Sequence, residues 1–430
     1  MSQEERIRPK PFKYTLFWTW DHSTNWDMTQ RGMQTSGCKN PYLKRPEAFL
    51  SDYKMLINFA SEHRIGGIII WGFVRDSHGG IEYSQEICNY ARERGVRILP
   101  GVGTSVYGGF YYEGKHRFST KTWIEEHPDL RAIGAEGQLE DRPCPSRPSY
   151  QEWLREGTAW LYDTFKIGGV NLEHGDFRIC YCEHCKKMRE ELGGDEADYF
   201  KEMAISEKPV IEVAHEKDPA SWITYATYTG FDPKSITPPP RFPQYMPEYA
   251  ICQWTLTFMY AEDRWPDGLR PPTRHSIGFI HQGSQWWTHP NCPQMHSRHW
   301  LILKTIRDVC AKAAASGLEG VGMHGEVSPI FPEWELNYLA FEYFTQHPGA
   351  SLEDLFSGPL SAKFGGKEAA LKALGYLRVC IPGQGHEVYQ QRKKIFQQVK
   401  DVAYGFRDNL EIARLWGYVA HCIEMGRELL

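Results

Sequence analysis

The sequence lacks any apolar run approaching the roughly 18 residues needed to cross a bilayer. Its opening stretch, MSQEERIRPKPFKYTLFW, carries charges but no apolar segment ahead of a small-residue cleavage site. The expectation is a cytoplasmic protein without membrane contact. A basic stripe is also missing: the net charge is −5 with both signs mixed along the chain, which argues against nucleic acid as a partner. Internal repeats and low-complexity tracts are absent. GVGTSVYGG is not an ordered G-x-G-x-x-G opening onto a helix, and the chain has neither a G-x-S-x-G elbow nor an H-E-x-x-H.

Aromatic residues are plentiful. They make up 14% of the 430 residues, with 15 tryptophans, a usage that serves either a large core or a cleft that stacks flat faces such as sugars or bases. The apolar fraction of 41% suffices for a large core. Eight short β-rich apolar runs occur, at residues 14–21, 65–73, 97–104, 168–176, 221–230, 250–257, 275–282 and 317–326. Amphipathic helical stretches separate several of them, among them PEAFLSDYKMLINFASEH and SRHWLILKTIRDVCAKAAASG. Continuous apolar strands alternating with helices predict a parallel sheet, and eight of them predict a closed α/β (β/α)8 barrel. After Glu326 the pattern is helical only, so the expected organisation is a barrel over residues 1–350 and a helical region over 351–430.

Active sites of such barrels lie at the carboxyl ends of the strands. Here those ends collect polar and aromatic residues: Trp20, Asp21 and His22; Arg75; three tyrosines in SVYGGFYYEG; Asn171, Glu173, His174 and Asp176; Trp254; His281 and Trp286; and His324 with Glu326. Each alone could merely solvate the rim; their convergence on one face is the signal. Two carboxylates about 5–5.5 Å or 6.5–9.5 Å apart are the apparatus of glycoside hydrolysis. Glu173 and Glu326, from opposite strands, are the leading pair.

Eleven cysteines, an odd number, are spread through apolar segments apart from one cluster. Without a secretion signal, reduced core thiols and a metal site fit better than a disulfide scaffold. Cys180, Cys182 and Cys185 form C-x-C-x-x-C, and Cys144 lies on the neighbouring excursion in EDRPCPSRPSY. Four thiolates make a closed tetrahedral zinc site with no open position for water. A catalytic zinc held by Glu173, His174 or Asp176 is the alternative.

RPCPSRPSY followed by VNLEHGDFRICYCEHC resembles the family-42 glycoside hydrolases, zinc-bearing β-galactosidases of (β/α)8 fold. The resemblance implies structural zinc on Cys144, Cys180, Cys182 and Cys185, and a general acid/base at Glu173. Two departures stand out. Leu172 separates Asn171 from Glu173, and the seventh strand, SIGFIHQGSQWW, lacks the glutamate that serves that family as nucleophile. Glu326 is the substitute.

The expected activity is therefore hydrolysis of a glycosidic bond. Glu173 is the general acid, and Glu326 the nucleophile or base. Trp20, Asp21, His22, Arg75, Asn171, His174, Asp176, Trp254, His281, Trp286 and His324 are expected to bind the carbohydrate. Two rivals stay open: an inactive carbohydrate-binding barrel, and a metal-dependent isomerase or lyase using His174, Asp176 and His324. The sequence leaves homo-oligomer formation open.

Overall fold

The computed structural model describes residues 11–20, 46–175, 178–194, 198–227, 245–256, 273–280, 301–325, 332–379 and 385–425. Packing divides the chain into two compact units. One comprises residues 13–281 and 316–328; the other comprises 1–12, 282–315 and 329–430.

The first unit holds a closed barrel. Its strands are β1 (Tyr14–Trp20), β2 (Gly67–Trp71), β3 (Arg97–Gly103), β6 (Gly169–Glu173), β7 (Trp222–Ala226), β8 (Ile251–Thr255), β9 (Ser276–Ile280) and β10 (Gly320–Gly325). They pair in parallel in that order, and β10 returns to β1 with Trp18 opposite His324. Each strand falls inside one of the eight apolar runs read from the sequence. A further antiparallel hairpin, β4 (Arg131–Ile133) with β5 (Leu139–Pro143), interrupts the connection from β3 to β6.

Continuous apolar strands arise because both faces are covered. Side chains alternate along a strand, so Tyr14, Leu16, Trp18, Ile69, Trp71, Leu99, Ile251, Ile277 and Phe279 form one buried cluster inside the barrel. The residues between them, such as Phe17, Ile70, Val102 and Leu172, are buried on the outer face. Gly101 is required by this filling: a Cβ there would stand 2.3 Å from the Trp71 indole.

Helices α1 (Pro46–Glu62), α2 (Gly80–Glu93), α3 (Thr120–Glu126), α4 (Pro148–Thr164), α5 (Glu183–Leu192) and α6 (Asp198–Lys217) belong to the barrel unit. α6 is unusual in burying most of its length despite an internal Pro209. The second unit contains α7 (Leu303–Ala315), α8 (Pro332–Gln346), α9 (Leu352–Ser357), α10 (Lys367–Leu377), α11 (His386–Gly405) and α12 (Leu410–Met425). Ser351 and Asp354 form a capping box that starts α9. Asn409 breaks the long C-terminal helical pattern into α11 and α12 by accepting the Ile412 N–H at 3.2 Å.

Candidate functional site

β6 organises the site. Asn171 points into the barrel, where its Oδ1 accepts the indole N–H groups of Trp18 (3.1 Å) and Trp71 (2.9 Å). Its Nδ2 donates to Thr224 Oγ1 at 2.7 Å and Gln253 Oε1 at 3.3 Å. Every hydrogen-bonding position of this amide is thus used, which suits a buried polar group. Asn171 works as the hub of the barrel interior.

Two residues further along, Glu173 lies on the same face of the strand at its carboxyl end and is 2% exposed. Aromatic rings from β1, β2 and the loop after β3 pack together in this part of the barrel. Trp18 and Trp71 pack at 6.0 Å, and Tyr107 meets Trp71 edge-on at 5.7 Å. Tyr107 holds a left-handed backbone (φ 64°) directly ahead of Gly108 and Gly109, which share it. For a bulky residue that conformation costs about 1–3 kcal/mol, and such strain collects at functional sites.

Arg75 is buried beneath this loop. Its guanidinium lies 4.4 Å over the Tyr112 ring, 3.4 Å from Glu113 and 3.3 Å from the Gly72 carbonyl. It ties the loop after β2 to the loop after β3.

Alternation carries His174 and Trp254 to the outer face of the sheet, so neither sits with Glu173 in the barrel interior. His174 meets Ser206 Oγ at 2.8 Å, the Arg178 carbonyl at 3.2 Å and Glu202 at 3.4 Å. Trp254 is buried with its indole N–H 2.9 Å from Cys252 Sγ. Both were expected to bind carbohydrate; here their side chains point away from the barrel interior. Trp20 pairs in register with Trp71, and His324 with Trp18, but their side chains are outside the described residues. Asp21, His22, Asp176, His281, Trp286 and Glu326 lie wholly outside them.

The four cysteines come together. Cys144 follows β5, and Cys180, Cys182 and Cys185 lead into α5; all are buried, with their sulfur atoms within 4.8 Å of one another. The separations from Cys144 are 3.8 Å to Cys180, 3.7 Å to Cys182 and 3.5 Å to Cys185. A tetrahedral ion with Zn–S of about 2.3 Å needs sulfur atoms about 3.8 Å apart, so the cage fits. Main-chain N–H groups of Ile133 and Cys185 point at the sulfurs of Cys180 and Cys182, each at 3.3 Å. Hydrogen bonds from Cys180 and Cys185 pull the Cys144 thiol down to about 4, while its bond to Cys144 pushes the Cys185 thiol up. A bound cation would stabilise thiolates in such a cage.

Sequence reasoning missed two glutamates of α6, Glu202 and Glu207, both with no solvent exposure. Glu202 accepts the Cys180 N–H (2.8 and 3.0 Å), pairs with Arg189, and lies 3.7 Å from Arg142. Arg142 in turn donates to Ser105 Oγ at 2.9 Å. This network connects the cysteine cluster to the outer face of β6 through His174. The available signal was the pattern EMAISEKPVIEV, in which charged residues interrupt a segment too apolar to be a solvated face.

No protein-family model and no curated protein matches the sequence. Among solved structures, one similar chain is described as a GH138 enzyme targeting pectin rhamnogalacturonan II, with a TM-score of 0.55 and 11% identity. The match covers 97% of this chain and 57% of that one. The likeness is one of fold. A β-galactosidase from the Antarctic haloarchaeon Halorubrum lacusprofundi aligns at 14% identity and TM-score 0.47, covering 78% of this chain and 59% of its own. A GH20 exo-β-N-acetylglucosaminidase from Vibrio harveyi aligns at 11% and 0.48, covering 84% and 57%. The chain thus spans less than two thirds of the length of these three structures.

Proposed function

We propose that this protein is a glycoside hydrolase in which Glu173 is the general acid. The observation that carries the reading is a carboxyl placed by β6 at the carboxyl end of the barrel, 2% exposed and in register with Gly103, against which Tyr107 closes. A desolvated glutamate keeps its proton to higher pH and so suits protonation of a leaving oxygen. The aromatic faces suit a pyranose ring.

The second carboxylate in this reading is Glu326, acting as nucleophile or base. It directly follows β10 in the sequence, and β10 stands four strands from β6 in either direction around the barrel. Trp20, Asp21, His22, Asp176, His281, Trp286 and His324 remain proposed carbohydrate contacts. The fold shared with the pectin-targeting enzyme is compatible with this reading, although many chemistries use the same barrel.

Zinc would be held by Cys144, Cys180, Cys182 and Cys185. With all four positions filled by sulfur it supplies no activated water; it fixes the loops. Those loops flank Glu173, and the Glu202 network transmits their position to the strand end.

A screen of chromogenic glycosides, including galactosides and glucuronides, tests the proposal. Hydrolysis of at least one, lost in Glu173→Gln with unchanged folding, supports it. Binding of sugar without any turnover would favour an inactive carbohydrate-binding barrel.

A further inference from the structure

Glu207 is used by nothing described so far. It sits mid-way along α6, on the turn that packs against the end of β6, and its residue exposure is 0%. Neither carboxyl oxygen has a hydrogen-bond partner in good geometry among the described residues. Ser206, its neighbour, is bonded to His174 Nδ1 at 2.8 Å and to Thr104 Oγ1 at 2.9 Å, which fixes this turn of α6 against the strand ends.

An ionised carboxylate in such a place would be severely penalised, because no cation or donor array among the described residues compensates for lost water. Its surroundings make ionisation harder still. β6 contributes the Glu173 carboxyl and the main-chain N–H of His174; the first opposes charge and the second favours it. β7 contributes the Tyr225 phenol and β8 the Cys252 thiol, both in electrostatic contact with Glu207. The cations packed around this part of α6 are committed elsewhere: Arg189 and Arg142 to Glu202, Arg155 to Glu212, and Lys208, on α6 itself, lies 3.9 Å from Glu212. Burial first, and the neighbouring Glu173 carboxyl whenever it is ionised second, raise the Glu207 carboxyl well above the ordinary glutamate range.

We infer that Glu207 is a neutral carboxylic acid in the working protein, a positioning residue that stands behind Glu173 so that Glu173 alone changes charge during the reaction. This rests on the reading of Glu173 as the general acid. When Glu173 gives its proton to the leaving oxygen it becomes a carboxylate. Glu207, still protonated, then meets that charge with the dipole of its O–H group, whereas a second carboxylate would repel it. Two adjacent buried carboxyls of this kind titrate as a unit, the shallower one first.

Infrared difference spectroscopy at neutral pH reads the protonation state without any substrate. The expected result is protonated-carboxyl carbonyl absorption in the wild type, one component of which is lost in Glu207→Gln and retained in Glu173→Gln. A spectrum in which Glu207→Gln removes only carboxylate absorption overturns the inference. The pH profile of kcat gives a second arm. Glu207→Gln, uncharged and of equal size, should leave the alkaline limb within about 0.3 pH unit, while Glu207→Leu lowers kcat at least tenfold with KM nearly unchanged. A displacement of that limb by a full unit in Glu207→Gln would mean that Glu207 is ionised beside Glu173. Should Glu173→Gln keep full turnover, the acid assignment falls while the infrared result still decides the state of Glu207.

Discussion

Glu173 and His174 are adjacent in the chain and face opposite sides of β6. The first lies on the barrel-interior face; the second enters the layer beneath α6, where it meets Ser206 at 2.8 Å and Glu202 at 3.4 Å. Glu202 in turn accepts the N–H of Cys180, one of the four clustered cysteines. A continuous polar path therefore runs from the cluster to the residue next to the candidate acid.

Glu202 is the node of that path, and its removal should be costly. Arg189 and Arg142 would be left buried beside an uncharged residue. Losing one partner of a buried pair typically costs about 3–5 kcal/mol. Glu202→Ala should lower the denaturation midpoint accordingly, measured by chemical unfolding; a loss below about 1 kcal/mol would show that the arginines find other partners.

Replacing Cys182 or Cys185 with serine should remove bound zinc, quantified by elemental analysis of the purified protein. The free energy of unfolding should fall by more than the roughly 1 kcal/mol typical of a point change. Brief treatment of the intact protein with chelator should leave its initial rate unchanged, because an all-sulfur cage offers no water to activate. Immediate, metal-reversible loss of rate would point to a metal that takes part in the reaction.

Tyr107 is expected to act through its ring. Tyr107→Phe should retain substrate affinity, whereas Tyr107→Ala should raise KM roughly 2- to 12-fold, the equivalent of an aromatic contact worth about 0.5–1.5 kcal/mol. Tyr107→Gly should show the same rise in KM while relieving the left-handed backbone. Unaltered KM in both truncations would remove Tyr107 from the binding surface.

The stability of the protein should carry the signature of Glu207. Its folded pKa is raised above the ordinary 4.5, chiefly by burial. A raised carboxyl is neutral in both states below about pH 4.5, so it costs nothing there. As pH climbs through the neutral range the unfolded chain ionises while the native protein holds the proton, and stability falls. The slope is at most about 1.4 kcal/mol per pH unit for one proton. Glu207→Gln should therefore gain on the wild type as pH rises from 5 to 8, measured by unfolding at several pH values. A difference that stays flat across that window contradicts a protonated Glu207.

The eight strands were legible because each is apolar on both faces and short, a pattern no solvent-facing element sustains. Three of the four clustered cysteines were legible from their C-x-C-x-x-C spacing, and Cys144 from its place on the neighbouring excursion. Side-chain direction was not. Trp254 reads as an aromatic near a strand end, yet its neighbour Gln253 is the residue that reaches Asn171, so Trp254 must face outward. His174 faces the layer beneath α6 by the same one-residue parity. Asn171 was expected to touch a ligand, but four internal hydrogen bonds occupy it. Glu202 and Glu207 escaped notice because charged residues on a helix ordinarily mark its wet side; only packing against β6 reveals that this helix has almost none.

Leaving-group dependence of Glu173→Gln tests the central claim most directly. A missing general acid matters greatly when the departing alcohol is a poor leaving group and little when it is an acidic phenol that departs unaided. Turnover of alkyl glycosides should drop by roughly 10²–10⁴-fold, with much smaller losses on dinitrophenyl glycosides of the same sugar. Equal losses on both, or wild-type rates on the alkyl substrates, would contradict the assignment of Glu173 as the proton donor.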